Sequence, residues 1–250
     1  MRMTTDGIVI ATTNIDECDR LVTLLSAEIG VVRAYARGAK RPGSKLSGST
    51  ELLGYSRFVL FKHKDRFTID SADSNALFFG VRQDLTKLSL AAYLCELCAD
   101  TAPAGEPAKE QQRLLLNCLH LLETGKRSAE FIKPLYELRQ ISLSGYMPDL
   151  VACRECGQYE RPLFHFYPVS GELVCAGCDT APKAGQYVEL SPSVLAAMRH
   201  ILYSDAGKLY SFTLSQQALL QLTAVCERYV KTQLSRSFKT LDFYNAMLPN

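Results

Sequence analysis

Cys153-Arg154-Glu155-Cys156-Gly157, then Cys175-Ala176-Gly177-Cys178 after a gap of eighteen residues, is the stretch that decides how this chain is organised. It reads C-x2-C…C-x2-C. Each pair sits on a tight turn, so both thiolates of a pair can face one ion. Four soft sulfur ligands at tetrahedral positions suit Zn²⁺, and a site with all four positions filled by protein is structural rather than catalytic. The gap falls within the range of zinc ribbons. Gly157 and Gly177 free the backbone where the turns wrap the metal. Between the pairs, Phe164-His165-Phe166-Tyr167 and Glu172-Leu173-Val174 read as two short strands joined by the turn Pro168-Val169-Ser170-Gly171. Two disulfides, or four unrelated core cysteines, are the competing readings. Disulfides need an oxidising compartment, for which the chain gives no sign. His165 lies between the pairs, but four thiolates complete a site without it, so it reads as a ribbon residue.

Working outward, 250 residues at 47 % hydrophobic can bury a core and build two or three modules. The formal charge of +2 is uninformative as a total. Its distribution is not: from Gly30 to Arg66 nine cations (Arg33, Arg37, Lys40, Arg41, Lys45, Arg57, Lys62, Lys64, Arg66) face only Glu51 and Asp65. The rest of the chain is mildly acidic. A basic module on an acidic body is the asymmetry of a polyanion binder. The apolar run Gly7–Ala11 is too short for a signal peptide and follows Asp6, and no stretch approaches a membrane span. Nine cysteines, an odd number, fit metal plus reduced core thiols in a cytoplasmic protein.

Residues 1 to about 72 read as five strands: Thr4–Thr13, Asp19–Ser26, Ile29–Arg37, Tyr55–Lys62 and Phe67–Ser71, the last two forming a hairpin across His63–Arg66. In the third strand Val32, Ala34 and Ala36 face one way and Arg33, Tyr35 and Arg37 the other. Five strands without a long helix predict a small closed barrel of the OB type. The loop Gly38–Gly54, rich in Gly, Ser and cations, is expected not to pack itself and to stay mobile until a polyanion neutralises it. A solvated loop with ordinary surface lysines is the plainer reading. Tyr35, Tyr55, Phe58 and Phe67 could stack bases if they face outward, although Phe58 and Phe67 also suit a barrel core.

Beyond Asp73 the periodicity turns helical. Helices are expected over Leu85–Ala99, Lys109–Glu123, Phe131–Ser144, from Pro192 to near Gly207 with Ser191 as cap, and Leu214–Ser237. Pro134 is tolerable only in a first turn. Cys95 and Cys98 form a further C-x2-C, but no βαβ pattern surrounds them and they read as core thiols. His120 reads as structural. Arg228, Lys231, Arg236 and Lys239 complement a helix C-terminus or form a second basic patch.

Two stretches carry a resemblance. Asp19-Arg20-Leu21-Val22-Thr23-Leu24-Leu25, Glu28-Ile29-Gly30 and Ala36-Arg37-Gly38-Ala39-Lys40-Arg41-Pro42 resemble the N-terminal barrel of the bacterial recombination mediator family RecO. Leu143-Ser144-Gly145-Tyr146-Met147-Pro148-Asp149-Leu150, running into Cys153-x2-Cys156-Gly157, is similar to that family's helix-to-ribbon junction. The resemblance implies a DNA repair protein that binds single- and double-stranded DNA, anneals complementary strands and, with RecR and single-strand-binding protein, loads the RecA recombinase. The matching cations are Arg20, Arg37, Lys40, Arg41 and Lys45. Some relatives lack the four cysteines, so the family function does not require zinc.

The expected fold is therefore α+β: an OB barrel at 1–80, a helical domain from 81–150 and 181–250, and a four-cysteine zinc module at 151–180. Structural Zn²⁺ is expected on Cys153, Cys156, Cys175 and Cys178. DNA is expected on Arg20, Arg33, Arg37, Lys40, Arg41, Lys45, Arg57, Lys62, Lys64 and Arg66. Nucleoid DNA in the cytoplasm is the expected setting, with no membrane. No G-x4-G-K-[ST] loop is present, and no catalytic set stands out. A metal-dependent nuclease would have to use Asp16, Glu17 and Asp19, which read better as a polar turn. A transcription or translation accessory factor is the other alternative.

Overall fold

A computed structural model describes residues 1–248. The chain groups into two compact units, Met1–Ala129 with Phe238–Asn250, and Glu130–Ser237.

The first unit begins with a closed five-stranded barrel of OB type: β1 (Arg2–Asn14), β2 (Arg20–Ser26), β3 (Gly30–Ala36), β4 (Tyr55–His63) and β5 (Arg66–Ala76), in spatial order β1-β2-β3-β5-β4. All neighbours are antiparallel except β3 and β5, and β1 pairs with β4 to close the ring. Closure leaves no unpaired edge. The alternation expected for β3 is present: Val32, Ala34 and Ala36 are buried with Val9, Val22, Leu24, Phe58, Leu60 and Ile69, whereas Arg33 points to solvent. Small Ala34 and Ala36 suit the inside of so narrow a barrel.

The turn from β2 to β3 is tied to a distant segment. Val31 N–H donates to Pro103 O (2.8 Å), and Gly105 N–H to Ile29 O (3.1 Å). Gly30 sits between them at φ +64, and a β-carbon there would overlap the carbonyls of Pro103 and Glu106. Gly30→Ala should therefore cost on the order of 3 kcal/mol, from the left-handed backbone together with the backbone shift that the clash demands. Denaturant midpoints decide this, and an unchanged midpoint would mean the linker moves aside freely.

Three helices follow: α1 (Phe79–Arg82), α2 (Leu85–Thr101) and α3 (Lys109–Thr124). Asp84 caps α2 by accepting from Lys87 N–H (3.0 Å), and Gly125 at φ +66 stops α3. Leu114, Leu115, Cys118, Leu119 and Leu122 form the buried stripe of α3, and Gln112 anchors that helix to the barrel through Asp6 O (2.9 Å) and Leu25 O (3.0 Å). Cys95 and Cys98 are buried in α2, and burial pushes the Cys95 thiol well up.

The second unit is built on α4 (Ala129–Leu143), of which ten residues are buried. This helix starts earlier than expected, so Pro134 lies in the second turn. The carbonyl it leaves without a helical donor belongs to Glu130, an exposed residue where water can serve. A three-stranded sheet of order β7-β6-β8 follows, from β6 (Phe164–Tyr167), β7 (Glu172–Cys175) and β8 (Val188–Leu190). Then come α5 (Pro192–Tyr203) and α6 (Gln216–Leu234). Ser191 precedes α5, but its hydroxyl bonds to Gln221 Oε1 (2.8 Å) and caps nothing. Lys133, almost fully buried, reaches Glu137 (2.9 Å) and Glu227 (2.8 Å). Burial alone would lower the Lys133 pKa, but the two carboxylates outweigh it and the ammonium is held charged.

One last helix, α7 (Lys239–Met247), belongs to the first unit. Leu241 and Tyr244 are buried there, Phe238 meets Tyr93 edge-on (5.6 Å), and Thr240 bonds to Glu96.

Candidate metal centre and nucleic-acid interface

Both cysteine pairs sit on backbone knuckles. In the first, Gly157 at φ +68 lets its N–H return to Cys153 O (2.9 Å). In the second, the N–H groups of Cys178 (2.9 Å) and Asp179 (3.0 Å) both reach Cys175 O. The β6–β7 hairpin, closed by Gly171 N–H on Tyr167 O (2.8 Å), delivers Cys175, while Arg154 N–H on Leu173 O (2.8 Å) docks the first knuckle on β7.

The four sulfurs lie within 4.8 Å of one another, and Cys156 Sγ is 3.8 Å from Cys175 Sγ. A tetrahedral site with metal–sulfur bonds of about 2.3 Å has sulfur–sulfur edges of about 3.8 Å, so the cage is the right size for one ion. None of the nine cysteines forms a disulfide, and the four of the cage are thiols rather than two bridged pairs. Cys153 and Cys175 are buried, Cys178 is half-buried and Cys156 is exposed.

Burial and hydrogen bonding account for the pattern of thiol acidity. Burial would raise the Cys153 thiol, but N–H groups around the turn point at its sulfur, including Cys175 N–H at 3.2 Å, and hold its pKa at about 6. Cys178 is pushed up to about 12 because its proton is shared with Cys175 and Cys156. Four adjacent sulfurs cannot all ionise without a cation between them. The site can hold a metal ion, with these four side chains as its ligands.

His165 is not among them. Its Nδ1 donates to Asp179 Oδ2 (2.6 Å), which also accepts from Tyr167 OH (2.5 Å), and its ring lies 4.2 Å from that of Tyr187. The Tyr167 and His165 hydrogen bonds hold the Asp179 carboxyl below its usual range, and that carboxylate pushes Tyr167 up to about 12. The triad pins the second knuckle to β6.

On the barrel the ten expected cations part company. Arg33, Arg37, Arg41, Lys45, Lys64 and Arg66 are exposed, with no ion pair among the described residues. Arg57 is exposed but committed: it grips Asp6 across the β1–β4 pair with Nε (3.0 Å) and Nη2 (3.2 Å). Arg20 turns into the loop after β3, reaching Thr50 Oγ1 (3.2 Å) and Ser47 O (3.4 Å). Lys40 binds Asp16 O (3.0 Å), and Lys62 lies over the Phe67 ring (5.3 Å).

The loop itself is not the unpacked tether its composition predicts. Ala39 and Leu53 are fully buried, successive turns run from Gly38 to Gly54, and Lys40 N–H on Cys18 O (3.0 Å) ties the loop to the β1–β2 turn. The polar acids of that turn are staples. Asp16 Oδ1 accepts from the N–H groups of Cys18 (2.7 Å) and Asp19 (2.6 Å), and Asp19 accepts from Gly38 N–H (2.8 Å). Those backbone donors lower the Asp16 pKa. Among the described residues the only cluster of His, Cys, Asp or Glu able to hold a metal is the cysteine set.

Of the aromatic residues considered for stacking, Phe58 is core and Phe67 packs against it. Phe61, which the sequence reading passed over, is half exposed on the outer face of β4 and shares a groove with Tyr35. Its signal was available: it occupies the outward phase of the same alternation that buries Phe58 and Leu60.

No helix among the described residues is long and apolar enough to cross a membrane. Family models for the N-terminal and C-terminal parts of recombination protein O match residues 1–78 and 82–242. The DNA repair protein RecO of Acetivibrio thermocellus is 35 % identical over 243 residues, covering 97 % of this chain and 96 % of that one. RecO of Symbiobacterium thermophilum is 29 % identical over 245 residues (97 % and 96 % covered), and RecO of Alkaliphilus metalliredigens 27 % over 243 (97 % and 98 %). With the barrel inside the first match, the cysteine module inside the second, and a relative 35 % identical over nearly the whole length, the chain belongs to the RecO family of DNA repair proteins.

Proposed function

We propose that this protein is a recombination mediator that binds single- and double-stranded DNA on its barrel and anneals complementary strands without nucleotide. With RecR and single-strand-binding protein as partners, it would help load RecA at sites of nucleoid DNA repair. The observation that carries the reading is the set of exposed barrel cations with no ion pair among the described residues: Arg33, Arg37, Arg41, Lys45, Lys64 and Arg66. Uncommitted cations can neutralise phosphates, and neutralising two strands at once lets their bases meet. Arg20 and Arg57 serve the fold, and Lys40 and Lys62 contribute at the margin. The metal is Zn²⁺ in this reading, on the grounds of four thiol ligands close enough to share one ion, and its role is to hold the ribbon. No bond is made or broken by the protein.

The test is annealing of complementary oligonucleotides without ATP or Mg²⁺, with and without the cognate single-strand-binding protein. The protein should speed annealing in both settings and leave strand lengths unchanged on a denaturing gel. Shortened strands, with cutting lost in Asp16→Asn or Asp19→Asn, would replace this reading with a nuclease. Co-purified ribosomes and no effect on annealing would replace it with a translation factor.

A further inference from the structure

On the outer face of the barrel, strand register aligns three side chains across adjacent strands. Tyr35 of β3 pairs with Thr68 of β5, and Thr68 pairs with Phe61 of β4. Two rings thus flank a short side chain. Adjacent strands lie about 4.8 Å apart, so the outer two are roughly 9.5 Å apart. Stacked bases are spaced by ~3.4 Å, so one base between two rings needs about 7 Å. The strand spacing accommodates that sandwich over the Thr68 floor. A groove of about 550 Å³ occupies this place, lined by Tyr35, Arg37, Phe61, His63, Arg66 and Thr68.

Its surroundings are cationic. The neighbouring row, set by the same register, places His63 opposite Arg66, and Arg33 lies two residues before Tyr35 on the same face of β3. Arg37 flanks the groove two residues after Tyr35. The one acid in the lining, Asp70, is paired with Arg2 (2.9 Å). Phe61 is 49 % exposed, a large apolar ring left in water by a barrel that buries Phe58 and Leu60 completely.

We propose that this groove holds one unpaired nucleobase between Tyr35 and Phe61, with its flanking phosphates on Arg37 and on Arg66 with Arg33, so that the barrel distinguishes single strands from duplex. A paired base has both faces covered by its neighbours and cannot enter the gap, whereas the same cations meet either form of DNA. The inference rests on the barrel being the DNA-binding surface.

The chain contains no tryptophan, so Phe61→Trp creates a unique fluorescent reporter at the groove. Its emission should be quenched on adding oligothymidylate and stay unquenched with an abasic oligonucleotide of equal length and charge. Base–aromatic stacking in other proteins implies that Phe61→Ala should bind oligothymidylate roughly tenfold more weakly, with abasic binding and the salt dependence unchanged. Thr68→Leu, which fills the floor and keeps both rings, should lose the preference for oligothymidylate over the abasic strand. If Phe61→Ala binds both oligonucleotides as wild type does, or loses both equally, the base site is wrong while the barrel can still be the DNA surface. If wild-type protein binds neither oligonucleotide, both readings fail together.

Discussion

Replacing Cys156 by serine is expected to empty the cysteine cage and unfold the ribbon around it. The protein should carry about one zinc per chain and the variant essentially none. A serine hydroxyl does not ionise near neutral pH, so the exposed corner of the site loses its thiolate and water can enter there. The ribbon has little else to stand on: its strands are four, four and three residues long. In small zinc modules the metal contributes about 10–16 kcal/mol of apparent folding free energy. Amide protection in β6 and β7 should collapse, and proteolysis should open between Cys153 and Cys178. The barrel supplies no ligand to the cage, so its hydrogen-exchange protection should be unaltered. Elemental analysis together with exchange measured by mass spectrometry reads both effects. Wild-type protein that is metal-free yet protected in β6 and β7 would overturn the metal assignment.

The cage was legible because its geometry is local. Each C-x2-C sets a knuckle on its own, and a β-hairpin is the short way to join two knuckles eighteen residues apart. The barrel was legible for a related reason: period-two alternation in β3 and β4 states which residues face inward. Helix α7 was not. Phe238 just before it and its own Leu241 and Tyr244 recur every third residue, but nothing nearby in sequence shows that they pack in the first unit, where Phe238 meets Tyr93. β8 is three residues long, too short for any periodicity to show.

Site residues on the barrel were legible by charge and not by role. Composition counts Arg57 and Arg33 alike, yet the partner of Arg57 is Asp6, fifty-one residues away and brought opposite only by the β1–β4 pairing. Arg20 is separated from Ser47 and Thr50 in the same way. The loop after β3 misled for a different reason. Ser and Thr are polar by composition, but Thr50 is fully buried with its hydroxyl on Leu46 O (2.6 Å), and such internal bonds let a Ser- and Gly-rich segment fold back on itself. Phe61 shows the converse, an apolar residue that the fold leaves outside.

Changing Arg33, Arg37, Lys45 and Arg66 together to alanine should weaken binding to single strands of every sequence and slow annealing in proportion. Each phosphate neutralised contributes roughly 0.7 to the magnitude of the log–log salt slope for single strands, so four lost contacts flatten the slope by about 3. A fourfold rise in salt should then weaken the wild-type protein about fifty-fold more than the variant, which makes the slope a better readout than any single affinity. Stability should stay close to wild type, because the four side chains are exposed and hold no ion pair among the described residues. Arg57→Gln is the internal control. It removes the same charge from the same barrel, but from a guanidinium already occupied by Asp6, so its salt slope should stay near that of wild type. Changing Lys231 and Arg236 tests the alternative patch on the other unit. An unchanged slope in the barrel variant, with the slope lost in the Lys231 and Arg236 variant, would move the DNA path to the helical unit even though the chain remains a RecO protein.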